Sequence, residues 1–497
     1  MSTAPPEEPP RTREITLTNS HRWRAYWVCV GVAALTILDL SKVNVALPSI
    51  EKAFGAGSTE LQLVVSGYVL AFGLALVPMG RLGDQRSRRA LFIVGLSLFT
   101  LTSLICALAQ DVTVLLVARL IQGVAAGIQM PQVLGLIQQL FRGADRGKAF
   151  GLFGASIGIA TAFGPTLGGL AIAIGGPTDG WRGIFWMNVP LALIAIAAAI
   201  WLLPATRTKS GRKLSLDPVG ILLFGLAVVS LLWPFLFTTG SPTDDPNRWW
   251  LLVPSVLFIG AFIVWERSYE ARGHQPLVPL GLFNVSSYRN GTVLASAYFA
   301  ALPALFLLTT LFLQTGVGLE PVFAGMVTIG FALASALTSW FGGLWVNRIG
   351  RPLVVWGLAI MLVATAGLVL TALFVPSGAI IWVMSGIMIV AGAGGGLVVS
   401  PNQTLALADI PPKRGGLAGS VGQLGQRIGT SIGTAIALAF FYSTIYSEAE
   451  SAPAIVIYHD AYAVGMVAVG VGLSLAFVIS LVDLTARAKK SAVGGRR

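Results

Sequence analysis

ILDLSKVNVALPSI, residues 37–50, continues an apolar run, YWVCVGVAALT, and the two together are long enough to cross a bilayer as one helix. A crossing takes about 20 residues for roughly 30 Å of hydrocarbon, and this one holds Asp39 and Lys42 inside it. A charge at that depth is costly and marks an ion or substrate path by default. Three-residue spacing puts the carboxylate and the ammonium on one helix face, where they offset each other's burial. Asp39, about thirteen residues into the span, is too short to reach water. Lys42 lies about six residues, some 9 Å, from the outer end near Pro48, so it either snorkels there or stays with Asp39. A proton carrier needs a carboxylate that ionises beside a cation and takes up a proton when left alone in apolar surroundings. Asp39 is the candidate, with Lys42 as one partner.

The rest of the chain has the same character. Charged residues are 11% of the 497, against roughly 25% in soluble domains, and AVILMFWYC residues are 55%, with a mean hydropathy of +0.79. About fourteen apolar stretches of spanning length are visible, from 26–48 to 462–484, with the sixth at 184–203 and two central ones at 216–238 and 249–266. The net charge of +12 is distributed by topology. Most Lys and Arg fall in alternate connections, while the opposite connections hold only Lys52, Arg182 and Arg248. This bias places both termini in the cytoplasm and argues against a nucleic-acid partner. Cys29 and Cys106 both fall in spans and suggest neither a disulfide nor a metal site. The three histidines, His21, His274 and His459, lie in loops or termini, so no cluster fit for an enzyme lies at depth.

The chain divides into a polar, proline-rich N-terminus expected to be disordered (1–24), a six-helix half (25–206), a two-helix insertion (207–289), a second six-helix half (290–486) and a basic tail (487–497). The halves repeat: Gly80, Asp84 and Arg88 of GRLGDQRSRR match Gly343, Asn347 and Arg351 of GLWVNRIGRP at equal spacing. Such repeats build many secondary transporters.

In the first of these loops Gly80 and Gly83 permit a tight turn, Asp84 is placed to cap the next helix, and Arg88 to pair with it. The fourth span holds RLIQGVAAGIQMP (119–131), with Arg119 and Gln122 on one face at depth. The fifth, GLFGASIGIATAFGPTLGGL (151–170), combines the small-residue step Gly154–Gly158 with Pro165 between Gly164 and Gly168–Gly169, and a bend is expected there. AGAGGGLVVSP (391–401) lacks the Gly-Lys-Ser/Thr ending of a nucleotide cradle and reads as close helix packing.

These motifs resemble the major facilitator superfamily. The loop is similar to its G-x-L-A-D-R-x-G-R-K signature, R-x-x-Q-G to its fourth-span signature associated with proton transfer, and G-P-x-x-G-G to the fifth-span motif found chiefly in antiporters. WRGIFWMNVP (181–190) and L-D-x-x-x-x-N-V-A-L-P (38–48) resemble the fourteen-span drug:proton antiporter branch. The family pattern has an apolar residue where this chain has Lys42, which leaves room for neutral or anionic substrates.

The expectation is an all-α integral membrane protein of major-facilitator type, two six-helix halves plus two inserted central helices. It would work without a cofactor, as a monomer in the plasma membrane, exchanging protons for a small amphipathic molecule. Asp39, Arg119 and Lys42 would couple the proton; Asn44, Gln122, Gln129, Trp340 and Arg427 would line the substrate cavity. Gly80, Gly83, Asp84 and Arg88 would form the cytoplasmic gating loop, and Gly158, Gly164, Pro165, Gly168 and Gly169 the bend. The alternative is export of one specific metabolite or self-made antibiotic.

Overall fold

The computed structural model describes residues 18–204, 217–238, 244–448 and 454–494. Within them fourteen helices are long and apolar enough to cross a membrane. The first half is α1 (Asn19–Phe54), α2 (Ser58–Gln85), α3 (Arg88–Leu108), α4 (Val112–Leu140), α5 (Gly143–Trp186) and α6 (Asn188–Leu202). α7 (Pro218–Leu236) and α8 (Leu252–Ala271) follow. The second half is α9 (Ser286–Leu311), α10 (Pro321–Ile349), α11 (Pro352–Phe374), α12 (Ser377–Ala406), α13 (Gly415–Glu448) and α14 (Ala454–Gly494).

Three boundaries differ from the sequence expectation. α1 takes in residues 19–24, because Thr18 Oγ1 accepts the His21 N–H (3.3 Å) and Trp23 packs on Tyr26 and Phe141. α14 likewise continues as helix through residues assigned to the basic tail; residues 1–17 and 495–497 lie outside the described residues. The sixth span begins at Thr178 rather than 184. The backbone stays helical from Gly158 through Pro165 to Gly169 and leaves the helix at Gly176, whose φ of 85° is left-handed. The fifth span reverses there: a Cβ on Gly175 would come within 2.6 Å of the Gly180 Cα.

Buried apolar residues fall into three groups. One joins both halves at the end that carries the termini, with Tyr26, Phe141 and Phe150 packed in the same cluster as Leu407, Ile410 and Leu417. The second belongs wholly to α9–α14 with the turn after α9. The third, with Val43, Ala46, Val64, Cys106 and Trp181, belongs wholly to the first half at the opposite end. Among the described residues, the halves thus share a core at one end only.

Glycines make that shared end close. A Cβ on Gly80 of α2 would sit 3.0 Å from the Gly416 carbonyl of α13, and one on Gly343 of α10 would sit 2.5 Å from the Gly147 carbonyl of α5. The repeat seen in the sequence is therefore two matching helix crossings between the halves. AGAGGGLVVSP lies within α12, where a Cβ on Gly394 would lie 2.6 Å from the Gly357 carbonyl and Gly392 and Gly396 meet α10, as close packing requires.

α7 lies against the first half, its Leu236 carbonyl accepting Gln62 Nε2 at 2.8 Å. α8 is more exposed, with Val256 and Leu257 on its outer face. Glu266, placed near a helix end by the sequence, is buried and accepts the Leu277 and Val278 N–H groups (3.2 and 2.9 Å), which ties down the segment leading to α9.

Candidate proton and substrate site

Asp39, Lys42 and Arg119 all have side chains fully shielded from the surface. Asp39 Oδ2 accepts Arg119 Nη1 at 2.8 Å, and its Oδ1 accepts Asn188 Nδ2 at 2.6 Å. Lys42 turns inward, so snorkelling does not describe it: Nζ donates to Asn188 Oδ1 at 2.6 Å and lies 4.0 Å from the Asp39 carboxylate. Asn188 can serve both neighbours in one orientation only, amide nitrogen to the carboxylate and amide oxygen to the ammonium. It also donates to Ser103 Oγ at 3.2 Å.

Arg119 is held from four sides. Beyond Asp39, Nη1 donates to Gln122 Oε1 (2.8 Å), Nε donates to the Val64 carbonyl (3.2 Å), and the guanidinium lies 4.1 Å from the centre of the Tyr68 ring. Gln122 passes the chain on to Ser103 Oγ at 2.7 Å. The cluster joins α1, α2, α3, α4 and α6, and every charge in it has a polar partner, which a low-dielectric interior demands.

The seat for α1 comes from the GPTLGG motif. A Cβ on Gly168 would lie 2.8 Å from the Lys42 carbonyl, and one on Gly164 would overlap Ser41 Oγ. These glycines let α5 lie flush against the turn bearing the two charges; Gly169 faces open space. Gly158 is turned to the other half, where a Cβ on it would lie 4.0 Å from Ser335 Oγ.

Of the expected cavity residues, Gln122 belongs to the cluster, and Gln129 is spent on Thr36, to whose Oγ1 it donates at 2.6 Å. Asn44 is exposed on α1. Trp340 is exposed in a stack with Phe341 and Trp345, away from the cluster. Arg427 of α13 is half-buried, its guanidinium 4.9 Å from the centre of the Phe72 ring on α2.

Asn188, Ser103 and Tyr68 were not foreseen. Asn188 stands in the quoted WRGIFWMNVP but was read as the mouth of the sixth span; with that span starting at Thr178, it lies ten residues in, roughly 15 Å deep. Tyr68 and Ser103 sit in apolar runs without a distinguishing pattern.

At the shared end, Asp84 accepts the Gly416 and Leu417 N–H groups of α13 (3.1 and 2.9 Å) and Arg88 Nη2 (2.7 Å). It caps a helix of the other half; the expected target, α3, is capped by Ser87. Arg88 Nη2 also donates to the Pro412 carbonyl (2.8 Å), and its Nη1 to the Gly135 carbonyl (2.7 Å). Gly83 leaves room for Gln132. In the repeat, uncharged Asn347 cannot hold Arg351, which pairs instead with Asp483 of α14 at 2.6 Å.

The Major Facilitator Superfamily profile matches residues 29–434. Among curated proteins, a probable actinorhodin transporter of Streptomyces coelicolor is 29% identical over 443 residues, covering 87% of this chain and 75% of its own. The puromycin resistance protein of Streptomyces alboniger is 34% identical over 420 residues (82% and 79%), and the multidrug resistance protein Stp of Mycobacterium tuberculosis 31% over 412 (81% and 73%). Among solved structures, the human organic anion transporter TETRAN superposes with a TM-score of 0.65 at 14% identity, over 92% of this chain and 99% of its own, which speaks to the fold alone. With fourteen spanning helices among the described residues, a family profile over most of its length, and relatives named as a transporter and as drug-resistance proteins, this chain is a multi-pass membrane transporter, not an enzyme, and belongs to the major facilitator superfamily.

Proposed function

We propose that this transporter is a proton-coupled antiporter that exports small amphipathic compounds by alternating access. The observation that carries the reading is the cluster of Asp39, Arg119, Lys42 and Asn188, fully buried in one half. A carboxylate enclosed by two cations has no packing purpose that an apolar residue would not meet better. A proton arriving at Asp39 releases Arg119 and Lys42, and this change of pairing is what a transport cycle can couple to movement. The halves share a core only at the terminal end, which the positive-inside bias assigns to the cytoplasm. Read that way, this is an arrangement closed on the cytoplasmic side by Asp84 and the paired glycine crossings, with Asp39 occluded in its ion pairs.

The resemblance to an actinorhodin transporter and to drug-resistance proteins supports efflux, and a plasma-membrane location and action as a monomer belong to the same proposal. A second reading is export of one specific metabolite or self-made antibiotic; Lys42 favours it, because an ammonium beside Asp39 opposes entry of the cationic compounds a broad drug exporter admits. The test is substrate-driven proton movement in proteoliposomes, wild type beside Asp39→Asn. Coupling is expected to disappear in the variant; exchange at the wild-type rate would sink the assignment.

A further inference from the structure

The charges of the cluster in the first half are paired with one another, though Arg119 Nη2 has no hydrogen-bond partner, and a further cation near mid-span stands outside it. Arg427 stands twelve residues into α13, roughly 18 Å from its first turn. Its guanidinium has no hydrogen-bond acceptor and no carboxylate among the described residues; it lies over the Phe72 ring at 4.9 Å. Lys42 and Arg119 thus share the carboxylate of Asp39, while Arg427 on α13 has none.

The neighbours of Arg427 are also unfinished. One turn along α2, the Tyr68 hydroxyl is buried without a hydrogen-bond partner, and it interacts electrostatically with Arg427. One turn back along α13, Gln423 Oε1 is likewise buried without a partner. Both a donor and an acceptor are thus left over beside an unpaired guanidinium. The contact of Gly73 with Leu424 (3.7 Å for a Cβ) closes the α2–α13 gap just below, on the side of the shared core. Each such group costs free energy unless something answers it.

We propose that Arg427, laid across Phe72 and flanked by Tyr68 and Gln423, is the anchor for a flat aromatic anion. The acid would take the guanidinium fork and the Tyr68 hydroxyl, with a hydroxyl or amide of the same molecule reaching Gln423. The aromatic body would stack on the face of the guanidinium turned away from the Phe72 ring, which is itself fully buried. The Tyr68 ring already carries Arg119 on one face, so a bound anion sits one side chain away from the proton cluster. This inference rests on the export reading and narrows it to acidic substrates.

The test uses the full chain in proteoliposomes with three fluorescent probes of one shape: anthracene-2-carboxylate, its carboxamide, and anthracen-2-ylmethylammonium, with empty liposomes as the partition control. The acid is expected to bind about tenfold more tightly than the amide, the worth of one charge-assisted bond, and the ammonium least. Arg427→Gln should bring acid and amide to near equality, Arg427→Lys should retain part of the preference, and Phe72→Ala should weaken both. Equal binding of acid and amide by wild type, or an acid preference kept by Arg427→Gln, overturns the anchor; if Arg427→Gln does not fold, the wild-type ratio together with Arg427→Lys decides. Entrapped pyranine, read in the same vesicles, separates the two claims. An Arg427-dependent acid preference without proton movement leaves the anchor standing and removes antiport, whereas proton-linked exchange without charge preference does the reverse.

Discussion

Asp84 on α2 accepts the backbone N–H of Leu417 at 2.9 Å, so an acid of one half caps the first turn of a helix in the other, 333 residues away in sequence. The positive end of α13 is neutralised only while the two halves are together at this end. Asp84→Ala should favour separation by about 1–3 kcal/mol, and Asp84→Asn, which keeps an acceptor but no charge, by less. The measurement is maleimide labelling of Ala418→Cys; Cys29 and Cys106 are buried and give a low background. Identical labelling with and without Asp84→Ala would show that the cap does not hold the halves.

The crossing of α5 and α10 makes a steric prediction. A methyl group on Gly343 has no room, at 2.5 Å from the Gly147 carbonyl, while one on Gly378 meets nothing within 4 Å. Gly343→Ala is expected to cost about 1–3 kcal/mol in thermal unfolding, and Gly378→Ala to be near neutral. Equal melting temperatures would mean that the crossing is looser than described.

Asn188 mediates between Lys42 and Asp39, so its removal should depend on the lysine. Asn188→Leu strands a buried ammonium and should destabilise by about 3–5 kcal/mol; in a Lys42→Met background the same change should cost far less. A double-mutant cycle on melting temperature reads the difference, and additive costs would contradict the bridge.

Arg351 and Asp483 pair at 2.6 Å with side chains about 2% exposed, near one end of the second half. Asp483→Asn should lower stability by roughly 3–5 kcal/mol yet leave proton movement per folded molecule unchanged. A loss of coupling at full stability would assign this pair a transport role.

The sequence made the helices plain because apolar runs of spanning length have few other readings, and the charges in them stood out for the same reason. Asp39 and Arg119 were found because a deep charge is conspicuous; Asn188 was missed because a six-residue error in the start of its helix moved it from the interior to the mouth. Periodicity shows which residues share a helix but not which helix they face. Hence Gln129 was placed in a cavity when it binds Thr36, and Asp84 was aimed at the next helix in the chain when its partner is α13. The glycines of GPTLGG were expected to bend α5; what they supply is a flat surface for Ser41 and Lys42.

That surface gives α5 two bearings. Near its start, Gly147 and Gly151 rest on Gly343 of the second half; Gly164, 13 residues or roughly 20 Å beyond Gly151, rests on Ser41 beside the buried charges. A continuous helix held at both points is a lever. Any tilt of one half on the other at Gly343 is delivered at Ser41 and Lys42 as a displacement, and a change in charge there is felt back at the crossing.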